Sequence, residues 1–97
     1  MSSLDPNPVY VTISRIPAGR VCSYGEVARL SGYPGKGRWV GQLLSRLPAD
    51  STLPWHRVVN AAGRVTCPKS LLAQERLAQE GVTFHNGKID MNCVAWP

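Results

Sequence analysis

The chain has 97 residues, 43% of them hydrophobic and 18% charged, and a formal net charge of +5. That length fits one small domain, and the balance excludes a disordered tail or a collagen-like repeat. No run approaches the roughly 20 apolar residues of a membrane-spanning helix, and Met1 to Pro6 lack the basic and apolar regions of a secretory signal, so one cytoplasmic domain over residues 1–97, with no membrane association, is expected.

The first element is ambiguous. Asn7-Pro8 can open a helix with Val9, Ile13 and Ile16 on one face, yet Val9, Val11 and Ile13 also alternate as a strand would. Helix is the reading taken, ended by Pro17-Ala18-Gly19. Ser23-Tyr24-Gly25-Glu26 then reads as a capping box opening a short helix, with Val27, Ala28 and Leu30 inward and Gly32 as its stop. A turn over Tyr33-Pro34-Gly35-Lys36-Gly37 leads to Val40, Leu43, Leu44 and Leu47, the spacing of an amphipathic helix, which Pro48 ends. Helix, tight turn, helix is the outline of a helix-turn-helix. The other face of the second helix carries Arg38, Gly41, Gln42 and Ser45, small or polar groups that let a helix approach a duplex.

Two strand-like runs, 53–59 and 64–66, flank Asn60-Ala61-Ala62-Gly63 and predict a hairpin. Residues 68–80 read as a helix stopped by Gly81. Asn86-Gly87 between Val82–His85 and Lys88–Met91 is a strong signal for a second hairpin. The expected fold is therefore mostly α with small β-hairpins.

Charge and cysteine usage bear on function. Residues 15–64 hold eight arginines and lysines against Glu26 and Asp50. A basic middle points to a polyanion, nucleic acid first, although a solvated basic surface carries the same signature. Cys22, Cys67 and Cys93 are far apart, with no Cys-x-x-Cys pair and only His56 and His85 beside them. Neither a zinc site nor a disulfide framework is expected, and no cofactor is called for.

The run Pro54-Trp55-His56-Arg57-Val58-Val59 is the specific one. It resembles the Pro-Cys-His-Arg-Val signature of the O6-alkylguanine-DNA alkyltransferases, with tryptophan at the reactive cysteine. Ile16–Val21, Ser23–Ala28, Arg38–Gly41 and Leu71–Glu75 resemble further segments of that family in the same order, over about residues 9 to 81. Tryptophan at this position marks the alkyltransferase-like proteins. The resemblance implies a winged helix-turn-helix-like DNA-binding domain, as in the alkyltransferase C-terminal domain.

It also implies roles. Dealkylation needs a thiolate, activated by a histidine and a carboxylate; His56 and Glu75 match those helpers. An indole N–H has no lone pair to offer, so transfer should be absent and His56, Arg57 and Glu75 remain as a structural remnant. Tyr24, Arg38, Gly41 and Gln42 are the implied DNA-binding residues, with Arg38 filling the gap left by a flipped nucleotide and Tyr24 crowding its phosphate. Tyr24, Trp55 and Val58 would line the lesion pocket, Val58 through backbone hydrogen bonds. Leu47 stands where the family has an asparagine that ties the recognition helix to the active-site loop, and the lid between Gly63 and Leu71 is short. Trp39 and Trp96 are read as packing residues, Cys22 and Cys67 as inert thiols.

The expected function is a non-enzymatic, monomeric DNA damage sensor that flips O6-alkylguanine in duplex DNA and flags it for nucleotide excision repair. The rivals are a helix-turn-helix transcription regulator and a residual alkyltransferase using Cys67.

Overall fold

A computed structural model describes residues 4–48, 50–66 and 69–97. Helix α1 spans Asn7–Ser14. The Asp5 carboxylate accepts from the Asn7 N–H at 3.0 Å, and Pro8 occupies the first turn, where its missing N–H is harmless. Val9, Ile13 and Ile16 are all buried, so the helical period prevails over the alternating one.

Strand β1 (Cys22–Ser23) runs directly into α2 (Tyr24–Leu30). Ser23 Oγ caps α2 by accepting from the Glu26 N–H at 3.1 Å. The reciprocal half of the capping box is not made, because the Glu26 carboxylate pairs with Arg29 one turn on. Val27 and Ala28 are buried, whereas Leu30, expected inward, faces solvent.

Helix α3 (Gly37–Ser45) buries Val40, Leu43 and Leu44. It crosses α2 at two glycines: a Cβ on Gly37 would lie 3.0 Å from Gly25 N and 3.1 Å from Gly25 Cα. Only a residue without a side chain permits so close a backbone approach.

The expected hairpin over 53–66 does not form. A 3-10 helix covers Trp55–Arg57, and β2 (Val58–Val59) pairs parallel with β1, Cys22 opposite Val58 and Ser23 opposite Val59. The turn itself is as expected. The Asn60 side chain accepts from Ala62 and Arg64 N–H, and Asn60 N donates to Arg64 O at 3.0 Å. Past that single bond the chain leaves β2, whose ladder is taken by β1.

Helix α4 (Ser70–Gln79) buries Ala73 and Leu77. Strands β3 (Phe84–His85) and β4 (Lys88–Ile89) form the second expected hairpin, with Asn86 at φ 54° and Gly87 at φ 77°, the left-handed pair a tight hairpin turn demands. A short helix α5 (Met91–Val94), capped by Asp90, returns the chain to the centre, where Trp96 N donates to Val21 O at 2.8 Å. One apolar cluster joins α1, α2, α3 and the 3-10 helix; a second lies under α4 and the hairpin. Among the described residues no helix is long and apolar enough to cross a membrane.

Candidate nucleic-acid interface and the buried tryptophan beneath it

Helix α3 has two unlike faces. Val40, Leu43 and Leu44 are buried, while Arg38, Gln42 and Ser45 are exposed and Gly41 is half-buried between them. Tyr24, the first residue of α2, lies against Gly41: a Cβ there would sit 3.7 and 3.8 Å from the tyrosine ring. Tyr24, Arg38, Gly41 and Gln42 therefore belong to the surface shared by α3 and the start of α2. Trp39 turns away from it, stacking edge-on against Tyr33 with ring centroids 5.3 Å apart.

These spacings separate folding from binding. Gly41→Ala meets only ordinary van der Waals distances and gains helix propensity, so the melting temperature should hold or rise. If this face meets a duplex, the added methyl should still weaken DNA binding several-fold. Gly37→Ala should instead lower the melting temperature, since the α2 backbone must move. Thermal melts and duplex titrations of both variants check this.

Strand pairing links that surface to the signature. Because Cys22 and Ser23 pair with Val58 and Val59, α2 begins beside the 3-10 helix and β2. Trp55 is 5% exposed and belongs to the main core cluster. The Arg76 guanidinium lies over its ring at 5.2 Å from the centroid, a cation–π contact. The Val58 N–H donates to Trp55 O, so a backbone contact from Val58 to a base would have to use its carbonyl.

The expected carboxylate is corrected. Glu75 is exposed on α4, and the acid that meets His56 is Glu80, its Oε2 at 2.9 Å from Nε2. Glu80 also accepts from the Arg57 guanidinium and from Gly19 N–H at 3.2 Å, while Arg57 Nη1 donates to Ile16 O at 2.9 Å. One carboxylate thus joins the end of α4, the 3-10 helix and the Ile16–Gly19 turn. Burial pushes the Glu80 carboxyl up, but the hydrogen bonds from Arg57, His56 and Gly19 outweigh it and hold it at about 2. Burial lowers the His56 pKa despite the opposing pull of Glu80, so the ring is neutral near pH 7. A carboxylate only accepts, so Nε2 carries the proton and Nδ1 is a bare acceptor.

Both shifts have the same sign for stability. Each group binds more protons unfolded than folded as the pH drops, so acid destabilises the fold. His56 should contribute from about pH 6.5 downward and Glu80 from about 4.5 down to about 2. Chemical denaturation across that range should show stability falling in two stages, and His56→Gln should remove the first.

Sequence reasoning also missed Arg76 and Lys69. Lys69 Nζ donates to Leu47 O at 3.1 Å, so a lysine at the start of α4 reaches the residue just past α3 through its backbone carbonyl, where Leu47 has no polar side chain of its own. Of the thiols, Cys22 is buried and pushed up to about 12, chiefly by desolvation. Cys93 is exposed and donates to Asp90 Oδ2, which raises its pKa. Cys67 and the middle of the lid lie outside the described residues. No cluster of three or more potential metal ligands occurs among the described residues.

Comparison with known proteins decides the family. The family model described as 6-O-methylguanine DNA methyltransferase, DNA binding domain, matches residues 6–82. The chain belongs to this family. A DNA base-flipping protein of Escherichia coli is 44% identical over 94 residues, 94% of this chain and 73% of that protein. One from Vibrio parahaemolyticus is 38% identical over 91% of each. These relatives, with alkyltransferase-like protein 1 of Schizosaccharomyces pombe at 39% identity over 79% of this chain and 75% of that one, place it in the alkyltransferase-like branch.

The solved structure of S. pombe Atl1 with damaged DNA containing O6-carboxymethylguanine superimposes with a TM-score of 0.90 at 31% identity, covering 99% of both chains. Mycobacterium tuberculosis OGT in complex with DNA gives 0.72 at 32% identity over 81% of this chain and 51% of that one. The winged helix-turn-helix-like fold expected from the sequence is the fold observed.

Proposed function

We propose that this chain binds duplex DNA containing O6-alkylguanine, turns the damaged nucleotide out of the stack and leaves the alkyl group in place. The observation that carries the reading is the buried indole of Trp55 where the alkyltransferases have their thiol. The relatives named as base-flipping proteins and the Atl1 complex with damaged DNA support the binding half. The thiols support the other half: Cys22 is buried with its pKa near 12, and Cys93 sits on α5 beside an aspartate, so neither resembles an activated nucleophile.

In this reading Arg38, exposed at the start of α3, enters the gap in the stack. Tyr24 presses the backbone of the turned-out nucleotide, Gly41 and Gln42 lie along the groove, and Trp55 with Val58 forms the pocket. His56, Arg57 and Glu80 hold that pocket in shape. A monomer that marks damage without removing it requires a repair system to follow, and nucleotide excision repair is the partner proposed.

Matched duplexes with one O6-methylguanine or one guanine test this. The lesion duplex should bind at least about tenfold more tightly, Arg38→Ala should abolish most of that preference, and the intact mass of the protein should be unchanged after incubation. A methyl added to the chain would establish transfer and overturn the sensor reading; equal affinities would overturn lesion recognition.

A further inference from the structure

Two buried side-chain atoms of this site have no hydrogen-bond partner: Trp55 Nε1 and His56 Nδ1. Trp55 is 5% exposed and His56 7%. Buried polar groups are nearly always satisfied, so two unpaired ones on consecutive residues call for a reason. They are complementary in kind. The indole N–H can only donate, and His56 Nδ1 can only accept while Nε2 gives its hydrogen to Glu80. The two rings stand perpendicular with centroids 6.1 Å apart, and Arg76 covers a face of the indole. The side chains around them are apolar: Ile16, Cys22, Val58 and Ala73 share the cluster.

A hydroxyl is the smallest group that answers both atoms, accepting from one and donating to the other. We propose that Trp55 Nε1 and His56 Nδ1 form a polar subsite in the lesion pocket that selects O6-alkyl arms carrying a terminal hydroxyl, such as 2-hydroxyethyl. The proposal rests on the lesion-binding reading above and adds a preference within it. An n-propyl arm has the same number of heavy atoms but leaves both nitrogens unpaired. A carboxylate arm satisfies the indole and sets an anionic oxygen against the histidine lone pair.

The test uses three duplexes that differ only at one guanine: O6-(2-hydroxyethyl), O6-n-propyl and unmodified. The wild-type chain should bind the hydroxyethyl duplex about tenfold more tightly than the propyl one, because the propyl arm leaves a donor and an acceptor buried unpaired. Trp55→Phe keeps a ring but removes the N–H, and should bring the ratio to within about twofold. Equal affinity for the two arms, with both well above guanine, would overturn the subsite and leave lesion recognition standing. No preference for either arm over guanine would overturn lesion recognition itself, and the subsite with it. A tenfold ratio that survives in Trp55→Phe would overturn the assignment to the indole. The wild-type comparison decides the preference even if that variant folds poorly.

Discussion

Glu80→Ala should lower stability by about 3 kcal/mol, the low end of the cost of removing one partner from a buried ion pair. The low end applies because Arg57 keeps its bond to Ile16 O and His56 can remain neutral. For a domain of this size that is a fall of about 12–24 °C in melting temperature. The loss has three sources: Arg57 keeps its charge without a counter-charge, His56 Nε2–H loses its acceptor, and Gly19 N–H is released from the turn before β1. Glu80→Gln should fall between the two, since its amide oxygen still accepts but carries no charge. Glu75→Ala is the control: that side chain is exposed, and the change should stay within about 0.5 kcal/mol. If Glu75→Ala proved the more damaging, the carboxylate assigned to His56 would be wrong.

Gly63→Ala should be at least as severe. Gly63 is buried with φ +85°, and a Cβ there would lie 2.3 Å from the Ile89 carbonyl oxygen. That oxygen is backbone, held while Ile89 N donates to Gly63 O at 2.9 Å, so it cannot swing aside. A left-handed conformation costs a residue with a side chain about 1–2 kcal/mol, and overpacking adds about 1–3. The sum, about 2–5 kcal/mol, is a large part of the roughly 5–15 kcal/mol that typically holds a domain together. The damage should spread from the turn after β2 to the terminal hairpin. Hydrogen exchange should show protection lost at Ile89 as well as at Gly63, and a thermal melt within a few degrees of wild type would contradict the geometry.

What the sequence revealed and what it concealed differ by range. The α2–turn–α3 unit was legible because its signals are local: the Ser23 cap, the apolar spacing of Val40, Leu43 and Leu44, and the small residues opposite. The Asn86-Gly87 hairpin was legible for the same reason. The parallel pairing of β1 with β2 was not, because two strands of two residues each carry no periodicity and their partners are far apart in the chain. Trp55 was singled out only through its resemblance to a family signature; its burial and its unpaired N–H are properties of the fold. The carboxylate was misplaced for a geometric reason. Glu75 and Glu80 belong to one helix and its cap, but five residues turn the chain about 140° further round the axis, from solvent to the 3-10 helix. An acid at a helix C-terminus opposes the helix dipole and reads as an ordinary surface residue until the Arg57 guanidinium beside it is seen.

The central claim is that the chain holds a damaged nucleotide outside the stack, and fluorescence of a 2-aminopurine placed next to a single O6-methylguanine reports this most directly. Unstacking the lesion frees its neighbour and raises the emission. Saturating wild-type protein should produce a clear rise with the lesion duplex and little with the matched guanine duplex. Full occupancy of the lesion duplex with emission unchanged would contradict nucleotide flipping and leave only a surface that binds DNA.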